Sequence, residues 1–254
     1  MNFERRGSGA PLVLLHHLGG EWQVFEPVLE PLAQHFDVIA VDMPGFGGSL
    51  SLPDSVEPTP WALAAAVAEL LDSLGIESAH ASGISLGGWV ALELARLERA
   101  LSVTTLCAAG FWRRPLGPRH GISSRTTARL LRPVLPALFA LPAVRARALR
   151  TAVVHGDRLS RSHAARLVRA YARASDYDRA SVHMRGNVFT RSEEIDVPVT
   201  LAWGEHDRQV TPPRSVPDGW RQVVLYGCNH LPTLDDPEQV AGVIREGASL
   251  VLQG

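Results

Sequence analysis

Lysine is absent from this 254-residue chain, whose 25 basic residues are all arginine against 26 acids. Cysteine is nearly absent too. Cys107 and Cys228 lie far apart and in no metal-ligand or redox spacing, which excludes a disulfide framework and a zinc cluster. No apolar run approaches the ~20 residues needed to cross a bilayer. The longest strongly apolar stretch is Leu12–Leu15 with its flanks, and Met1–Gly9 has no apolar targeting core. A soluble, cytoplasmic protein with no membrane partner is expected. Charged residues are only 20% of the chain and hydrophobic ones 46%, which excludes a disordered polar chain and a coiled coil. What remains is a globule large enough for one α/β domain or two small ones.

The formal net charge of −1 conceals a strong asymmetry. Residues 113–191 hold 17 arginines and only three acids, Asp157, Asp176 and Asp178, for a net +14. The other residues hold eight arginines against 23 acids, a net −15. Such a split marks a change of module. Its plain source is a coding bias toward arginine together with solvated helical faces. The functional alternatives are recognition of an anionic substrate, ion pairing with the acidic remainder, or a charged surface facing another protein. Nucleic-acid binding is not expected, because the aromatics of the basic segment, Phe139, Tyr171, Tyr177 and Phe189, are dispersed.

Along the chain two periods alternate. Strands are predicted at Phe3–Arg6, Pro11–His16, Asp37–Asp42, Ser78–Ser82 and Leu101–Leu106. Between them fall helices at Phe25–His35, Pro60–Leu74 and Ser85–Arg99, the second with Thr59 as N-cap and Pro60 at its first position. The rhythm resumes with strands at Val197–Trp203 and Val223–Tyr226 and a closing helix at Pro237–Leu252. This pattern predicts an α/β fold with a mainly parallel central sheet and helices on both faces. Residues 1–111 and 192–254 form its core domain. Residues 112–191 form an inserted, arginine-rich helical cap, with helical runs Thr126–Leu131, Val144–Val153 and Ser162–Ala174 broken by Pro115, Pro118, Pro133, Pro136 and Pro142.

The sharpest chemical signal is Gly83-Ile84-Ser85-Leu86-Gly87, set between a predicted strand and a predicted helix. That is the context of a G-x-S-x-G nucleophile elbow, in which an abrupt turn presents the serine and only glycine fits beside it. A serine hydroxyl needs a base, and the base needs an orienting group. His230 and Asp207 follow in the chain order this arrangement uses, each just past a predicted strand, with Glu205 as the competing acid. Oxyanion donors are predicted at the backbone N–H of Leu86 and of Leu18, with His17 or Gly19 as alternatives to Leu18 after a one-residue shift. His16 is read as bracing this loop.

These residues resemble the α/β-hydrolase superfamily. Val13-Leu14-Leu15-His16 before a glycine-rich loop, Asp42-Met43-Pro44-Gly45-Phe46-Gly47-Gly48-Ser49, the elbow, Trp203-Gly204-Glu205-His206-Asp207 and Asn229-His230 occur in that family's order. The likeness covers most of the chain outside the cap. Two departures stand out: His17 replaces the usual glycine after the first histidine, and the first antiparallel strand is expected to be missing. Within the superfamily the chain looks most like small carboxylesterases and 3-oxoadipate enol-lactonase-like hydrolases. Serine at 85 sets it apart from haloalkane dehalogenases and epoxide hydrolases with a carboxylate nucleophile.

The resemblance implies cleavage of a small-molecule ester or lactone, through an acyl-enzyme and with no cofactor or metal. C–C bond hydrolysis and thioester hydrolysis on the same triad are the enzymatic alternatives; a non-hydrolytic binding or isomerising protein is the other class. Candidate substrate contacts are His17, Trp112, Arg113 and Arg125, with Arg114 and Arg129 as further cap arginines that an anionic substrate would meet. Trp89 and Phe111 are candidates for an apolar wall, Trp89 more readily for the core.

Overall fold

A computed structural model describes residues 1–117 and 124–253, so Pro118 lies outside the described residues. Seven strands form one sheet: β1 (Phe3–Gly7), β2 (Ala10–Leu15), β3 (Phe36–Val41), β4 (Ala79–Ile84), β5 (Ala100–Leu106), β6 (Val199–Gly204) and β7 (Arg221–Leu225). Their spatial order is β1-β3-β2-β4-β5-β6-β7. All pairs are parallel except β1 with β3. The first antiparallel strand, expected to be missing, is therefore present, with Phe3 opposite Val41 and Gly7 opposite Asp37.

Strand residues alternate between two cores, as the period of two requires. Val13, Leu15, Ile39 and Val41 pack on one face with α2 (Pro60–Ser73) and α3 (Leu86–Arg96). Leu12, Leu14, Val38 and Ala40 pack on the other with α1 (Glu26–Ala33) and α10 (Pro237–Ser249). Coverage of both faces is why these strands read as continuous apolar runs. The chain leaves β2 toward one side of the sheet and β4 toward the other. The crevice above the carboxyl ends of those two neighbours is where such sheets bind ligands.

Helix ends follow local chemistry. Thr59 Oγ1 accepts the Ala62 N–H at 3.1 Å, with Pro60 opening α2. Asp236 caps α10 through the Gln239 N–H at 2.9 Å. α3 stops at Arg96, short of the predicted Arg99, because Glu98 adopts a left-handed φ of 59°.

Between β5 and β6 the described chain is helical: α4 (Ser124–Leu131), α5 (Leu135–Leu138), α6 (Pro142–Leu149), α7 (Arg161–Arg173) and α8 (Tyr177–Gly186). The sequence pattern missed α8, which buries only Tyr177 and Ala180 and so has almost no apolar stripe. Arginines of this segment pair with acids outside it. Arg166 meets Glu26 at 2.9 Å and Arg179 meets Glu57 at 3.7 Å. Exposed pairs of this kind stabilise by ~0–1 kcal/mol each, so they orient more than they hold. A short helix, α9 (Pro232–Asp235), precedes α10.

Replacing Thr59 by alanine removes a cap and is expected to lower unfolding free energy by about 1 kcal/mol. Urea denaturation with an unchanged slope is the measurement.

Candidate active site

Ser85 sits between β4 and α3 with φ 55° and ψ −112°. That backbone conformation costs a non-glycine residue about 1–3 kcal/mol, and it persists only where the surroundings over-determine it. Here they do. The Ser85 N–H donates to Leu106 O at 2.9 Å, while its carbonyl accepts from Ala109 N at 2.9 Å and Trp89 N at 3.2 Å. A Cβ at Gly83 would lie 2.2 Å from the Gly87 carbonyl, and one at Gly87 would lie 2.1 Å from Leu15 O. Both glycines are thus demanded by backbone-to-backbone approach of α3 to β4 and β2.

The neighbouring loop after β2 is braced by His16, which is fully buried. Its Nδ1–H donates to His17 O at 2.8 Å, leaving Nε2 to accept the Met43 N–H at 3.0 Å. Burial lowers its pKa, so this neutral tautomer is the stable form. Asp42, at the end of β3, ties the same region together. Its carboxylate accepts from Trp22 N at 2.7 Å, Gly48 N at 2.8 Å and Asn2 Nδ2 at 2.7 Å. Neither the Leu18 nor the Leu86 N–H meets an acceptor among the described residues, and Leu86 opens α3, where no intrahelical acceptor exists.

Asp207 and His230 follow β6 and β7. Asp207 Oδ2 accepts from His230 Nδ1 at 2.9 Å, and its other oxygen accepts from Gln209 N at 2.7 Å and Val210 N at 3.1 Å. Burial pushes this carboxyl up, but the His230 hydrogen bond and charge together with the two amides outweigh it and hold it below the ordinary carboxylate value. Glu205, the competing acid, instead accepts the Gly227 N–H at 3.0 Å. The histidine loop is anchored by Asn229 of the motif and by Asp235, which the motif did not single out. Asn229 Oδ1 accepts the His230 N–H at 2.9 Å, and Asp235 accepts from Asn229 N and Val154 N, both at 2.8 Å. Only the folded loop brings Asp235 there, so no sequence signal marks it.

Cys107 Sγ accepts the Gly204 N–H at 3.4 Å, and its ligand atom and those of Asp207 and His230 all lie within 4.8 Å of one another. Burial, reinforced by Asp207, raises the thiol pKa well above its usual value.

Ser85 and His230 line one cavity of about 780 Å³, together with His17, Leu18 and Trp112. No hydrogen bond joins Ser85 to His230 among the described residues; such contacts are often long in unliganded sites and tighten on substrate. The remaining wall is mostly aliphatic, including Leu116, Leu135, Leu149, Leu167 and Val168. His17 Nδ1 is buried with no hydrogen-bond partner among the described residues, and burial, then His16 and His230, holds this ring's pKa well below the ordinary imidazole value.

Two predicted contacts are corrected. Arg113 is exposed and does not line the cavity. Arg125 is buried outside it, bonded to Asp178 and Ala174 O and stacked 5.2 Å from the Tyr177 ring, because a buried guanidinium must satisfy its donors. Arg114 and Arg129 are also absent from the wall, whereas Arg185 and Arg208 line it. Trp89 belongs to the core, bonded to Glu93 at 2.9 Å.

A parallel α/β sheet with a serine elbow after one strand, and acid and histidine loops after two later ones, defines a class of hydrolases. The chain belongs to the alpha/beta hydrolase family, which it matches over residues 12–243. It is 31% identical to the epoxide hydrolase EphH of Mycobacterium tuberculosis over 72% of this chain and 91% of that one. It is 38% and 32% identical to the dihydrolipoyllysine-residue acetyltransferase components of the acetoin cleaving systems of Cupriavidus necator and Pseudomonas putida, over 55% and 94% of this chain. It spans only 38% and 63% of those two proteins' lengths. Its fold matches the enol-lactonase of Burkholderia xenovorans LB400 with a TM-score of 0.72 at 20% identity, over 100% of this chain and 96% of that one. Among the described residues no helix is long and apolar enough to cross a membrane.

Gly87→Ala is expected to destabilise the protein by about 3 kcal/mol or more, since two backbone segments must part; chemical denaturation measures it. Because the Asp207 pKa is depressed on folding, its contribution is present above the ordinary value near ~4 and fades as pH falls toward the native value. The unfolding free-energy gap between wild type and Asp207→Asn should therefore narrow as pH drops below ~4.

Proposed function

We propose that this protein is a serine hydrolase of carboxylic esters or lactones that works through an acyl-enzyme. The 2.9 Å hydrogen bond of His230 to Asp207, on the wall of the cavity that Ser85 also lines, is the observation that carries this reading. His230 Nε2 takes the Ser85 proton as Oγ attacks the substrate carbonyl. The Leu18 and Leu86 amides receive the developing oxyanion. Collapse of the tetrahedral intermediate breaks the ester bond, and His230 returns the proton to the leaving alcohol. Water then attacks the acyl-enzyme with its proton going to His230, and collapse of the second tetrahedral intermediate breaks the bond to Ser85 Oγ, which takes that proton back from His230 as the acid leaves. Asp207 holds the imidazole in the Nδ1–H form and stabilises the transient imidazolium.

Residues 112–191 act as a cap over this centre, with Trp112 and His17 forming substrate walls. The aliphatic lining supports an apolar acyl or alkyl group. Neither Arg113 nor Arg125 has a part in recognising it.

A fluorophosphonate should label wild type and not Ser85→Ala; an unlabelled wild type overturns the proposal. Asp207→Asn should lower kcat by about 10⁴ with its fold intact. Along a series of p-nitrophenyl esters from acetate to hexanoate, kcat/KM should rise up to about fourfold per methylene. A flat profile would remove the apolar acyl site.

A further inference from the structure

Leu130, Leu131, Val134, Leu138 and Leu141 are all between 37% and 77% exposed, within one short stretch of α4, α5 and the turns that follow them. Contiguous exposed aliphatic surface is uncommon on a soluble protein and marks an interaction site. Leu131 and Leu138 also line the Ser85 cavity, so the exposed patch is continuous with the cavity wall and forms its rim. The segment that carries it is basic in sequence. From 113 to 156 the sequence holds nine arginines and no acid. Arg132, which follows Leu131 in the chain, and Arg147 and Arg150, in and just after α6, are exposed with no carboxylate partner among the described residues.

The geometry points to an anionic phospholipid surface as the occupant: the helical segment docks there, aliphatic residues inserted and guanidiniums on the phosphates, and long-chain esters enter the cavity from that surface. Exposed aliphatic side chains on a segment that also exposes arginines suit the boundary between acyl chains and anionic headgroups. A second copy of the chain is disfavoured, because face-to-face docking would bring two +14 segments together. The absence of a spanning helix does not bear on such peripheral binding. Docking stands independently of the catalytic reading, whereas ester entry rests on it.

Vesicle co-sedimentation tests docking with both wild type and Ser85→Ala. Both should partition onto phosphatidylcholine vesicles containing phosphatidylglycerol, and at least ~10-fold less onto phosphatidylcholine alone or at high salt. Leu130→Ser/Val134→Ser/Leu141→Ser, none of which lines the cavity, should cut partitioning at least ~10-fold while hydrolysis of a short water-soluble ester is unchanged. Arg132→Gln/Arg147→Gln should lessen the preference for anionic vesicles and serves as a second test with the apolar patch intact. Docking is overturned if wild type partitions onto neither vesicle, or if the triple variant partitions as wild type does. It is equally overturned if the patch instead drives self-association or capture of a soluble acidic protein without vesicle binding. Lost fluorophosphonate labelling with vesicle binding intact would remove the hydrolase reading alone; labelling without vesicle binding would remove docking alone.

Discussion

The site depends on one close approach, where the first turn of α3 packs its backbone against the carboxyl ends of β2 and β4. At Gly83 and Gly87 there is no room for even a Cβ. That fit forces the chain through the strained turn at Ser85 and leaves the first amide of α3 without an intrahelical acceptor. The strain is sustained by hydrogen bonds between the Ser85 backbone and both the end of β5 and the loop beyond it, so β4, α3 and β5 share the load.

Around this contact the polar framework is built from groups that are not themselves reactive. His16 and Asp42 use neutral imidazole and carboxylate acceptors to lock the loops after β2 and β3. Asn229 and Asp235 do the same for the loop carrying His230, and Asp235 reaches across to Val154 in the helical segment. The histidine loop is thereby tied to that segment by a half-buried hydrogen bond to a carboxylate, worth more than an exposed ion pair.

The arginine excess divides into three physical uses. Arg166 and Arg179 reach acids outside their own segment, Arg125 and Arg145 are consumed by acceptors within it, and Arg132, Arg147 and Arg150 remain exposed on the surface. Composition alone does not separate these uses, because all three raise the same count. Only the position of each guanidinium relative to an acceptor decides which one applies.

Local patterning determined the strand and helix order, the glycine-flanked serine turn and the placement of Asp207 and His230 after consecutive strands. Each of these is written in short-range spacing and turn chemistry, which act within a few residues. Tertiary structure alone decided that Asp235 anchors the histidine loop, that Phe3–Gly7 adds an antiparallel edge, and that Arg113 and Arg125 stay away from the cavity. These outcomes arise from contacts between segments distant in the chain, where desolvation and packing choose among chemically equivalent side chains.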